Sequence, residues 1–153
     1  MINEDLIKVL FASMVPVGEL RLSIPLGIIV LDLPIFSVFL FSVIGNSIPV
    51  IILIPVIQKV ARFAEGLPRP LSTIFIWRVD RLSRTNGQLF NKYGFLALLV
   101  LVAIPLPFTG AWTGCLASWI FGIPSRKSIP TIILGIFVAG IIVTCLVVLG
   151  STL

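Results

Sequence analysis

At 153 residues, 58% hydrophobic, only 11% charged and with a mean hydropathy of +1.20, the chain is too oily for a soluble domain, in which charged residues run to about 25%. Its formal charge of +5 comes with no histidine, which removes the commonest acid–base side chain and metal ligand. What is left is an all-α integral membrane protein, expected in a prokaryotic plasma membrane, with little provision for catalysis and no expected metal or cofactor.

The opening "MINED" carries Glu4 and Asp5 without a basic cluster, so the first apolar segment is expected to persist rather than serve as a cleaved leader. That segment, 6–31, is interrupted by Pro16, Gly18, Pro25 and Gly27, which bracket Glu19 and Arg21. Proline inside a helix loses a backbone bond and clashes with the preceding turn. Broken backbone at membrane depth survives only against protein or a water-filled cavity. The block is therefore expected to fold as two short arms, a re-entrant hairpin. The second block, 34–58, reads as a full span despite Asn46, Pro49 and Pro55.

Residues 59–93 form a polar insert, with Lys59, Arg62, Arg69, Arg78, Arg81, Arg84 and Lys92 against Glu65 and Asp80. Leu71, Phe75, Val79, Leu82, Leu89 and Tyr93 return to one helical face, while Arg78, Arg81 and Arg84 share another. Such an amphipathic helix would lie in the headgroup plane and attract anionic lipid. Nucleic-acid binding is the rival explanation of the charge, and a juxtamembrane origin accounts for it without a nucleic-acid partner.

The third block, 94–123, breaks at "IPLPFTGAWTG", where Pro105, Pro107, Gly110 and Gly114 crowd together. A second hairpin is expected, followed by a charge-free span over 129–150 whose Gly135, Ala139 and Gly140 allow close helix contact. A shift of 90 residues lays Pro124 and Gly135 over Pro34 and Gly45, and Leu106–Ala111 over Pro16–Arg21. The reading is one membrane domain over 1–153, built as two inverted repeats (1–58 and 94–153), each a broken hairpin and a span, around the insert. Basic loops stay cytoplasmic, which sets 59–93 together with Arg126 and Lys127 on that side only if the hairpins turn back.

Glu19 and Arg21 carry the functional expectation. A charge at mid-bilayer costs roughly 2.5–3.5 kcal/mol even on lenient scales, and residues two apart do not face each other on a helix. Placed at a hairpin bend, Glu19 would couple to a proton or cation, and Arg21 would grip an anionic group or hold Glu19. The plainer possibility is an interfacial or buried structural pair. Pro107, Thr109, Gly110, Trp112 and Thr113 are the candidate pocket; the alternative is a packed, kinked helix with an interfacial tryptophan. Asn46 either cross-links helices or closes the site near Glu19. Asp32, beside Pro34, reads as a solvated turn acid. Cys115 and Cys145 stand alone in apolar sequence and read as packing residues.

The E-x-R of "PVGELRLSIPLGI" and the run "YGFLALLVLVAIPLPFTGAWTGCLAS" resemble the bacterial and archaeal membrane family of small multidrug export proteins, over nearly the whole chain. That family is similar in layout to the DedA and VTT-domain proteins, with two opposed re-entrant hairpins. The resemblance implies proton-dependent transport or translocation of polyprenyl-phosphate-type lipids, with Glu19 matching the acidic residue of the first hairpin. The arginines of DedA relatives near the second hairpin are replaced here by Thr109, Gly110 and Ala111, so Arg21 would have to substitute. The expected activity is export of a small molecule or amphiphile, with a lipid flippase or scramblase, or a non-transporting membrane subunit, as alternatives. An enzyme is not expected. Membrane lipids, the transported molecule and further copies of the chain are the expected partners.

Overall fold

The computed structural model describes residues 4–64, 94–105 and 109–151. Six helical elements follow in order: α1 (Glu4–Met14), α2 (Glu19–Pro25), α3 (Ile35–Ala64), α4 (Gly94–Ala103), α5 (Ala111–Ile120) and α6 (Ser125–Ser151). Among the described residues there is no strand. The amphipathic helix expected within 59–93, with Arg78, Arg81 and Arg84, falls beyond Ala64 and outside the described residues, as does Pro107.

The first break falls where the sequence puts it. Pro16 has no N–H to continue α1, and the chain turns on Val15, whose carbonyl accepts from the N–H groups of Gly18 (3.2 Å) and Glu19 (3.1 Å). Pro25 and Gly27, read as further breakers, do not stop the second arm. Pro25 stays inside α2, and the helix widens into a π turn over Leu26–Val30, closed by the Leu31 N–H on the Leu26 carbonyl at 3.0 Å. The wide turn begins just after the proline and contains Gly27, which packs on Val38 and Val9. Asp32 sits exposed in the turn that follows, at φ 48°.

Pro34 and Pro124 precede the two long helices. Their carbonyls accept from Val38 and Ser128, each at 3.0 Å, and proline adds no unpaired N–H at a helix start, where donors are already in surplus. Pro49, Pro55 and Pro130 lie within α3 and α6 without ending them. Ile35–Ile57 and Ser125–Ser151, 23 and 27 residues, are long and apolar enough to cross a membrane, at about 1.5 Å per residue against a hydrocarbon core of about 30 Å. The last turn before α6 closes on Gly122, at φ 63°, with the Ile123 N–H on the Ser118 carbonyl at 2.8 Å, the glycine-ended stop common to helices.

α3 is the hub, packed against α1, α2, α5 and α6. Small residues set the approach. Gly45 of α3 faces the Ser13 hydroxyl and the Leu10 carbonyl of α1 so closely that a Cβ would overlap both. Gly135 of α6 faces Val102 and the Leu99 carbonyl of α4; a Cβ there would lie 2.7 Å from the Val102 Cβ and 3.3 Å from that oxygen. α2 runs antiparallel to α3. Gly27 meets Val38, where a Cβ would stand 2.6 Å from a valine methyl, and one turn back the Ser23 hydroxyl donates to that of Ser42 at 2.9 Å. Another turn along this register reaches Glu19 on α2 and Asn46 on α3.

Candidate functional site

The two interrupted backbones come together. Glu19 is the first residue of α2 and takes a left-handed φ of 47°, unusual without glycine. The residue is 8% exposed, and its carboxylate reaches the start of α5, where the Trp112 N–H donates to Oε1 at 3.4 Å and the Ala111 N–H also points at it. The first N–H groups of a helix have no partner within it and carry the positive end of its dipole. Gly110, which precedes them, brings no side-chain cap. A carboxylate from the start of α2 supplies it.

Gly110 itself is at φ 144°, and a Cβ there would overlap both carboxylate oxygens of Glu19. Only a glycine leaves room for this approach. Arg21, half-buried, donates through Nη2 to the Thr109 carbonyl and, at 3.3 Å, to the Thr109 hydroxyl. That hydroxyl in turn donates to the Ile104 carbonyl at 2.8 Å. Among the described residues no salt bridge joins Glu19 to Arg21; each grips the opposite tip instead, as expected of charges two apart. Between the tips lies a cavity of about 290 Å³, walled by Pro16, Val17, Gly18, Glu19, Arg21, Thr109 and Thr113.

Of the sequence candidates, Glu19, Arg21, Thr109, Gly110 and Thr113 thus meet at one place. Trp112 contributes its main chain, while its indole is not part of the cavity wall and its Nε1 is buried without a hydrogen bond among the described residues. Asn46 is not in the wall either. It is fully buried in α3, with neither Oδ1 nor Nδ2 hydrogen-bonded among the described residues. Sequence reasoning passed over the Ser23–Ser42 pair and the Ala111 and Trp112 amides. Glu19/Ser23 and Ser42/Asn46 each stand four apart in apolar sequence, a helical spacing that could have signalled a polar seam.

Among the described residues no three His, Cys, Asp or Glu side chains come together as metal ligands. A larger depression, about 440 Å³, runs between α3 and α6 over Ile35, Phe36, Phe39, Phe137, Ile141, Thr144 and Cys145; it is apolar and holds none of the charged residues. The family model described as "Putative small multi-drug export protein" matches residues 19–142, from the tip glutamate to within α6.

The chain belongs to that family.

No curated protein and no solved structure matches it. Membership, with two helices long and apolar enough to cross a bilayer, is consistent with a membrane protein of transporter type. The matched region contains Glu19, Arg21, Thr109 and Thr113 of the cavity wall and begins just after Pro16, Val17 and Gly18.

Proposed function

We propose that the chain is a small secondary transporter, coupled to protons or another cation, whose site lies where two opposed re-entrant hairpins meet at mid-depth of the membrane. The observation that carries the reading is the cross-tip tie, with Glu19 on the first amides of α5 and Arg21 on the Thr109 carbonyl. A buried carboxylate facing a cavity is the expected form of an ion-coupling group in a membrane.

Several features support the opposed hairpins. α1 and α4 have 11 and 10 residues, α5 has 10, and α2 with its π turn adds a comparable arm. At about 1.5 Å per residue each reaches roughly half of a ~30 Å core. Matching boundaries recur at an interval of about 90 residues: Met14 and Ala103, Val30 and Ile120, Ile35 and Ser125. Gly45 on Leu10 and Ser13 is repeated as Gly135 on Leu99 and Val102, at nearly the same interval. Asn46, level with Glu19 in the α2–α3 register, stands eleven residues from either end of Ile35–Ile57.

Purified protein in lipid vesicles under an imposed pH gradient, with ethidium as the transported probe, tests the function. Glu19→Gln keeps the shape and an acceptor for the amides but cannot ionise, so gradient-driven ethidium movement is expected to fall at least about tenfold while the protein still inserts. Unchanged movement would remove Glu19 from the coupling step. For the topology, single cysteines at 126 and 127 in a Cys115→Ser, Cys145→Ser background are expected to react with an impermeant maleimide from the cytoplasmic face. Reaction from the outer face would overturn the opposed hairpins.

Arg21 in the cavity wall favours one second reading, capture of a phosphate headgroup and movement of a polyprenyl-phosphate-type lipid. Labelled lipid in the same vesicles distinguishes the two, since a transporter of soluble drugs leaves its distribution between leaflets unchanged.

A further inference from the structure

The seam between α2 and α3 carries more polar chemistry than the cross-tip tie uses. Ser23, Ser42 and Asn46 are all fully buried. The two serines satisfy each other at 2.9 Å, but the Asn46 carboxamide has neither its oxygen nor its nitrogen bonded among the described residues. Buried side-chain amides are rarely left so, which means that a partner is supplied in another state or by another molecule. The antiparallel register of Gly27–Val38 and Ser23–Ser42, continued by one helical turn, leads to Glu19 on α2 and Asn46 on α3.

The donor and acceptor inventory selects the partner. A carboxamide presents one acceptor oxygen and two N–H donors. A cation satisfies only the oxygen, and an ionised carboxylate only the nitrogen. A protonated carboxylic acid satisfies both at once, its O–H donating to Oδ1 and its carbonyl accepting from Nδ2. Ionised Glu19 is acceptor-only and suits the N–H groups that open α5; once protonated it loses its charge attraction to that helix end and gains a donor those amides cannot use. Among the described residues, the charged or titratable groups that act on Glu19 are Arg21 on its own helix and Cys115 from α5. From α3 the seam brings Asn46 and Ser42 and nothing ionisable.

We infer that Asn46 is the resting partner of protonated Glu19, so that proton binding transfers this side chain from the start of α5 to the middle of α3. The transfer unties one of the two links between the tips and leaves the Arg21–Thr109 link as the pivot. Asn46 is then a positioning residue for the coupling step, and the inference rests on the proton-coupled reading above.

Infrared titration of the protein in lipid bilayers tests it. The carboxylic-acid C=O band that disappears in Glu19→Gln reports Glu19 alone. Asn46→Leu removes a partner of the protonated form only, so the pH at which this band is lost is expected to move down, for a roughly tenfold lower proton affinity. The band itself is expected at higher frequency, because the carbonyl loses its donor. Asn46→Asp sets a second carboxyl beside the first and is expected to move the midpoint up. Opposite shifts in two variants do not arise from loosened structure, and Asn46→Gln, which keeps the amide, is expected to retain most of the wild-type behaviour. If Asn46→Leu leaves both midpoint and frequency unchanged, as it would were the amide merely holding a buried water, the inference fails. That outcome leaves the transport reading intact if Glu19→Gln still abolishes gradient-driven ethidium movement. If wild-type Glu19 shows no titrating band, the proton-coupled reading falls and this inference with it.

Discussion

Replacing Gly110 with alanine is expected to part the two tips. The new methyl would occupy the position of the Glu19 carboxylate, overlapping both of its oxygens, and the φ of 144° at this residue is open to glycine but strained for any L side chain. Backbone strain of this kind costs about 1–3 kcal/mol, and pushing Glu19 away leaves the first amides of α5 without their acceptor, for about 1–3 kcal/mol more. The two costs are alternatives in part, since relaxing one feeds the other, so a total near 2–4 kcal/mol is expected. Thermal unfolding of the purified variant in detergent measures the loss, and ethidium movement is expected to fall by more than tenfold alongside it. Gly110→Ala with wild-type stability and transport would mean that the tips do not meet as described.

The second large effect concerns the glycines that seat α1 on α3 and α4 on α6. At Gly45 a methyl meets the Ser13 hydroxyl and, beyond it, the backbone carbonyl of Leu10, which cannot rotate away. At Gly135 it meets first the Val102 side chain at 2.7 Å, with the Leu99 carbonyl farther off at 3.3 Å. Overpacking against a side chain costs typically 1–3 kcal/mol, and an immovable backbone atom belongs at the upper end of that range. Gly45→Ala is therefore expected to destabilise the fold more than Gly135→Ala, by about 3 against about 1–2 kcal/mol, and to show the larger drop in unfolding temperature. The reverse order would show that α4 is held more rigidly on α6 than α1 is on α3. Neither glycine touches the cavity, so both variants are expected to keep the dependence of transport on Glu19 even where the amount of folded protein drops.

The breaks in the chain were legible because proline and glycine act locally. Pro16 removes a donor that α1 needs, and Gly110 takes a backbone angle denied to other residues, whatever surrounds them. The same logic misjudged Pro25, because a helix can carry a proline and continue, and here its course past Pro25 is held by Val38 and Val9, which pack on Gly27. Pro49, Pro55 and Pro130 are carried within helices for the related reason that long membrane helices re-satisfy freed backbone groups. At the site, the charged residues announced themselves by their cost in an apolar segment, but their partners did not. Glu19 and Arg21 bind main-chain atoms, and no side-chain alphabet records which amide or carbonyl will be near. The Ser23–Ser42 pair was invisible for another reason: a bond between helices depends on their register, which only packing fixes.

That reliance on main-chain atoms has an evolutionary consequence. A clasp that closes mainly on peptide groups, helped by the Thr109 hydroxyl, puts few demands on the surrounding side chains, provided position 110 stays bare. Val17 and Thr113 are among the side chains that face the cavity. If the cavity takes cargo as proposed, its lining can drift from one descendant to the next while the fastening stays as it is.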